Sequence, residues 1–172
     1  GETPKKWSRN GGTKNHNFLR KRIKPGTIRH LEYDLLEVEI GESWPIPVSV
    51  VHGSRPGPVV TLLGAVHGDE LVGPLALTYL CGPNFMGEDR VIDPSALAGT
   101  LRIVPITNLP GYRRRVRYFP DGRDLNRSFP GNPDSNTTSR VAHGLWTKVI
   151  SGSDYIVDFH TAAKGRTNIP QI

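Results

Sequence analysis

Apolar and polar positions along this chain fall into short blocks of differing period, and the blocks predict strands alternating with helices. Pro45–Val51 (PIPVSVV) and Leu101–Ile106 (LRIVPI) read as strands, and His30–Ile40 alternates partially, as a third would. Val59–Val66 (VVTLLGAV) is an unbroken apolar run, the pattern of a strand buried on both faces. His52–Pro58 (HGSRPGP) has the composition of a turn. Leu71–Leu80 has a helical pattern, with Asp69 placed to cap it, Pro74 near its first turn and Cys81–Asn84 (CGPN) at its end. From Thr137 to Ile150, the residues Val141, Leu145 and Val149, with Trp146 and Ile150, share one helical stripe. Tyr155–Phe159 (YIVDF) is a further strand. Residues 1–26 lack any apolar period, and Asn108–Gly131 is a long polar stretch rich in Arg, Pro and Gly, of the kind that is functional when it sits inside a compact domain.

Strands alternating with helices predict an α/β fold, a sheet with helices on its faces. Sites in such sheets collect at the carboxyl ends of strands, and His67 and His160 each directly follow an apolar strand block. The chain divides into an irregular arm, 1–26, and one domain, 27–172.

Composition narrows the picture. A length of 172 residues with 36% apolar and 22% charged positions suits one globular domain. No run approaches the roughly 18 apolar residues that span a bilayer, and no secretory signal is visible, so a cytoplasmic protein without a membrane partner is expected. Cys81 is the single cysteine, which excludes an intrachain disulfide and leaves a metal site to nitrogen and oxygen ligands or that one sulfur. The net charge of +6 is unevenly placed: residues 1–30 carry nine Lys/Arg against Glu2 alone, and the rest of the chain is slightly acidic. The arm reads as a solvated basic tail, with contact to nucleic acid or an acidic surface as the other reading.

The chemistry-bearing residues cluster at the strand ends. A catalytic zinc takes three protein ligands from His and Glu and keeps one position open. His67 and Glu70 lie three apart around Gly68, a spacing that a strand-to-helix turn can fold onto one point, and His160 supplies a third ligand from a distant strand. The His-x-x-Glu pair alone is weak, and a histidine satisfied by backbone hydrogen bonds is the plainer alternative for His67. Asp158, two residues before His160, shares its face of a strand and is either an orienter of that imidazole or an ordinary acid at a strand edge. Arg117–Gly131 combines Arg forks suited to carboxylates with the amide of Asn126 beside Arg127, and with Tyr118 and Phe129. Asp124 is placed to hold an Arg in position, Arg123 is equally a surface charge, and Arg113–Arg115 is a solvated triplet or a substrate contact.

The ordered set His67-Gly-Asp-Glu70, Asn108-Leu-Pro-Gly111, Arg117-Tyr118, Asp124-Leu-Asn-Arg127, Phe129-Pro-Gly131 and Asp158-Phe-His160-Thr161 resembles the succinylglutamate desuccinylase/aspartoacylase family, a branch of the zinc carboxypeptidase superfamily. Any one of these motifs is weak and their order is strong. The resemblance runs from about Ile46 to Ile172. It implies a mixed β-sheet flanked by helices and one zinc ion on His67, Glu70 and His160. It further implies Asn126 and Arg127 gripping a substrate carboxylate, Arg117 polarising the scissile carbonyl, and hydrolysis of the amide of a small N-acyl amino acid or a related carboxylate-bearing amide.

One departure matters. The family carries a catalytic Glu after its third zinc ligand, whereas residues 161–172 contain no Asp or Glu. The expectation is therefore an N-terminal, zinc-ligand-bearing part of a longer enzyme, inactive by itself, with apolar surface exposed or covered by the missing C-terminal half or a homo-oligomer partner. A metal- or carboxylate-binding module without catalysis is the alternative. A second alternative binds nucleic acid through the arm, although nucleic acid is not expected as the main partner.

Overall fold

Strand pairing follows most of the apolar blocks. A computed structural model describes residues 14–35, 43–82 and 91–162, together with 165, 167 and 169. Strands β3 (Thr27–Asp34), β4 (Pro45–His52), β5 (Arg55–Gly64), β6 (Ala98–Val104) and β7 (Tyr155–Phe159) form a five-stranded sheet in the order β3-β4-β6-β5-β7. The pairs β3/β4 and β4/β6 are antiparallel; β5 runs parallel to both β6 and β7. Parallel neighbours need crossover connections. Helix α1 (Val72–Cys81) provides one between β5 and β6. The long segment between β6 and β7 provides the other, with α2 (Leu109–Arg114), a 3-10 turn (Leu125–Arg127), α3 (Thr137–Gly144) and a π-helical turn (Leu145–Ile150).

The sheet separates two apolar clusters. Val51, Ile103, Leu77 and Cys81 pack together with α1. The larger cluster gathers Ile46, Val48, Val50, Leu63 and Val104 from the sheet with Phe119, Leu125, Val141, Leu145 and Val149. At the β7 edge Tyr155, Ile156 and Val157 are exposed, as are Val72, Leu75 and Tyr79 of α1. No helix among the described residues is long and apolar enough to cross a membrane.

Several elements differ from expectation, each for a local reason. The turn expected over 52–58 ends early, because β5 already begins at Arg55; a register shift between Arg55 and Val59 absorbs the Pro-Gly-Pro run. Within β5, Val59, Thr61 and Leu63 are buried while Val60 and Leu62 are only half-buried, so the run is not buried equally on both faces. Asp69 does not cap α1. Leu71 holds the cap position without a side-chain bond, and the Glu70 N–H closes a separate turn onto the His67 carbonyl. The stretch 108–131 contains a true helix, because the Asn108 side chain accepts from the Gly111 N–H and Pro110 fits the first turn. The stripe over 137–150 changes pitch: the π-helical turn directs Leu145, Val149 and Ile150 inward and leaves Trp146 exposed. Of the strand read over His30–Ile40 and the helix end at Cys81–Asn84, residues 36–40 and 83–84 lie outside the described residues.

The arm read as irregular over 1–26 is also different where it is described; residues 1–13 lie outside. β1 (His16–Phe18) and β2 (Lys21–Ile23) form an antiparallel hairpin, and Phe18 and Ile23 are buried in the larger cluster. Its anchor is the buried Arg102 of β6. The guanidinium lies 4.6 Å over the Phe18 ring and donates to the carbonyls of Val149 (3.0 Å) and Ser151 (2.8 Å). It also donates to His16 Nε2 at 3.5 Å. Beside it, His52 Nε2 donates to the Lys14 carbonyl (2.7 Å) while its Nδ1 accepts from Thr100 Oγ1 (2.8 Å). Burial, then the charges of Arg102 and His52, lowers the His16 pKa to about 4; burial lowers that of Arg102 to about 10.

Candidate metal centre

The site is assembled where β5 and β7 end side by side. Their parallel register pairs Gly64 with Phe159, so the chain leaves both strands at the same level. After Gly64 the backbone turns sharply through Ala65, which is fully buried at φ +45°, a left-handed conformation costly for a residue with a Cβ. Two bonds hold this bend: Thr107 N–H to the Gly64 carbonyl and Asn108 N–H to the Ala65 carbonyl, both 2.9 Å. The His67–Glu70 turn then lies against the start of α2. A Cβ on Gly68 would fall 2.1 Å from the Gly111 carbonyl carbon, so only glycine fits between the two candidate ligands.

His67, Glu70 and His160 converge, each offering a ligand atom within 4.8 Å of the others. Glu70 is the hub. Its Oε1 lies 2.9 Å from His67 Nδ1, and its Oε2 lies 3.0 Å from His160 Nδ1 and accepts the Thr161 N–H at 2.8 Å. The far nitrogen of each ring meets a second carboxylate: His67 Nε2 lies 3.0 Å from Asp124 Oδ1, and His160 Nε2 lies 2.7 Å from Asp158 Oδ2. Both imidazoles are thus bracketed by acids. His67 and Glu70 are almost completely buried, whereas one third of the His160 side chain is exposed.

Proton counting tests whether a cation fits. A neutral imidazole has one N–H, and an ionised carboxylate only accepts. With Nε2–H given to Asp124 or Asp158, each ring turns the lone pair of Nδ1 toward Glu70. A proton or a metal ion must lie between them to make that approach favourable. Two nitrogens and a carboxylate suit zinc, and carboxylates behind metal-bound histidines fix their tautomer and orientation.

The surrounding charges agree with this. The hydrogen bond to Asp158 raises the pKa of His160; burial opposes it, and the charges of Asp158 and Glu70 add to it. For Asp124, burial acts to raise the pKa but is outweighed by the hydrogen bond and charge of His67, the charge of Arg117 and the Asn126 N–H, so the net shift is downward.

The remaining expected site residues are distributed unevenly. Arg117 reaches the cluster, its two terminal nitrogens 3.3 Å from Glu70 Oε1 and 3.4 Å from Asp124 Oδ2. Asp124 therefore holds both an Arg, as anticipated, and His67, which the sequence did not suggest. Asn126 and Arg127 stand at the rim. Arg127 is 86% exposed, with Nε 3.9 Å from Asp124 Oδ2, and the Asn126 N–H is bonded to Asp124 Oδ1. Arg123 is a surface charge near Asp121. Arg113–Arg115 are exposed, and Arg115 stacks on Tyr112. Sequence reasoning gave no role to Thr161 or to Asn108; the Asn before Leu-Pro-Gly was a readable capping signal.

Comparison with known proteins gives this geometry a context. The profile of the succinylglutamate desuccinylase/aspartoacylase catalytic domain matches residues 56–172. A curated relative, N-alpha-acetyl-L-2,4-diaminobutyric acid deacetylase from Halomonas elongata, is 36% identical over 126 residues, covering 73% of this chain and 34% of its own length. The crystal structure of a succinylglutamate desuccinylase/aspartoacylase from Rhodobacter sphaeroides is similar with a TM-score of 0.67 at 32% identity. The product-bound structure of an ectoine utilization protein from Ruegeria pomeroyi is similar with a TM-score of 0.64 at 34% identity. Each match covers 78% of this chain and 40% of the other. The mixed sheet flanked by helices is thus the fold of these proteins, and this chain spans about a third of the curated relative and two fifths of the solved ones.

Proposed function

Because the chain belongs to the succinylglutamate desuccinylase/aspartoacylase family, we propose that it carries the zinc-ligand portion, within 27–172, of a hydrolase acting on the amide of a small N-acyl amino acid. The single observation behind this reading is the convergence of His67, Glu70 and His160. These three hold one zinc ion, which when bound supplies Lewis acidity and acidifies a water. Asp124 and Asp158 keep the two imidazoles in the tautomer that leaves Nδ1 free for the ion. Arg117, whose guanidinium already lies beside Glu70, polarises the scissile carbonyl and balances the charge that develops on its oxygen, a role worth roughly 3–4 kcal/mol for comparable donors. Asn126 and Arg127 at the rim bind the substrate's carboxylate. Free amino-acid derivatives as substrates suit a cytoplasmic setting.

Zinc analysis followed by a panel of N-acyl amino acids tests the reading. One zinc per chain, lost in His67→Ala, with release of free amino acid by the longer hydrolase of which this chain is a portion, is the expected result. A wild-type chain that takes up no zinc would sink it.

A further inference from the structure

Three of the pieces of chain around the candidate centre are the end of β5, the start of α2 and the segment around Arg117. They meet on one side chain that the proposed reaction does not use. Asn108 is fully buried, and both ends of its carboxamide are engaged. Oδ1 accepts the Gly111 N–H at 2.9 Å, while Nδ2 donates to the Val66 carbonyl and the Arg117 carbonyl, each at 3.4 Å. Val66 immediately precedes His67. The Gly68 N–H also points to the Arg117 carbonyl, at 3.4 Å. The fit is close, since a Cβ on Gly111 would fall 2.6 Å from Asn108 Nδ2.

Helix capping does not explain why an amide stands here. A cap needs only an acceptor oxygen, which Ser or Asp supplies as well as Asn. Acceptor and donors on one short side chain are a property of the amide. We infer that Asn108 is a positioning residue: its carboxamide ties the turn bearing His67 and Glu70 to the backbone of Arg117, fixing the guanidinium relative to the ligand cluster. The catalytic consequence rests on the proposed hydrolytic reading; the mechanical coupling does not.

Two variants of the full chain separate positioning from capping. Asn108→Asp and Asn108→Ser both retain a good cap and both lose the Nδ2 donor. Amide hydrogen exchange followed by NMR should show Gly68 exchanging about tenfold faster in both. Tyr112 and Val116, whose N–H groups bond to the carbonyls of Asn108 and Gly111, should keep wild-type rates. In the zinc-loaded longer hydrolase carrying the same substitutions, kcat should fall about tenfold with KM within about twofold, the scale seen when partners behind a metal site are removed. Unchanged Gly68 exchange in both variants would overturn the inference. So would Gly68 and Tyr112 accelerating together, which marks unravelling of α2, or faster Gly68 exchange with kcat unaltered. A wild-type chain without zinc would instead count against the hydrolytic reading, and the exchange data would still decide the role of Asn108.

Discussion

Imidazoles gather at both ends of this sheet, and their neighbours give them opposite characters. Where β5 and β7 finish, His67 and His160 are each flanked by two carboxylates. At the other end, where His52 pairs with Thr100 at the start of β6, His16 faces the guanidinium of Arg102 and the ring of His52. The first environment favours positive charge and raises the pKa of His160; the second rejects it and lowers that of His16 to about 4. Burial acts in the same direction in both: it is the largest cause of the lowering at His16, to which Arg102 and His52 add, and at His160 it is outweighed by the hydrogen bond and charge of Asp158 and by Glu70. One cluster surrounds its imidazoles with acids, and the other uses a cation of its own as an anchor.

The sharpest way to break this contrast is to remove a ligand. His67→Ala should weaken zinc binding by about a thousandfold, on the order of 4 kcal/mol by calorimetry, while His16→Phe should leave zinc affinity unchanged. Zinc binding that survives in the first variant would place the ion elsewhere. Next in size, Ile23→Ala should cost about 3 kcal/mol in denaturant unfolding, because that side chain is fully buried under the hairpin, again with zinc affinity intact. If Ile23→Ala proves neutral, the hairpin is not anchored as described.

The third test is pH. His16 has a folded pKa of about 4, below the ordinary value of 6.5, so between those values the unfolded chain binds more protons. Stability from this group is therefore complete above about pH 6.5 and declines as pH falls toward 4, by about 2 kcal/mol once solvent screening is allowed for. His16→Phe should flatten that part of the stability curve, and an unaltered slope would remove the anchor from the comparison. The smallest effect belongs to Asp124→Asn. It should reduce zinc affinity about tenfold, or 1.4 kcal/mol, by loosening His67 without deleting a ligand.

The two ends were not equally legible in the sequence. The meeting of residues 67, 70 and 160 could be anticipated because each signal is local: an apolar strand, a His directly after it, and a Gly permitting the turn to Glu70. Without deciding between an orienter and an ordinary edge acid, the placing of Asp158 beside His160 was legible for a similar reason, since alternate residues share a strand face. The bond from Asp124 to His67 was not, because it depends on how a long polar segment folds over the strand ends. The hairpin was missed because its apolar content is only Phe18, Leu19 and Ile23, too little to register as a period. It becomes a structural element through Arg102, a residue that reads as polar in a strand and is buried only by tertiary contacts. Asp69 illustrates the converse: a good capping residue is overridden when the adjacent turn serves the site.

Strand β7 has a practical consequence for work with this chain. It forms one rim of the described sheet, with Tyr155, Ile156 and Val157 in contact with water. A rim of that kind offers hydrogen-bonding peptide groups and greasy side chains together, so concentrated samples should stick to one another edge to edge. A lysine in place of Ile156 would act as a gatekeeper against that adhesion.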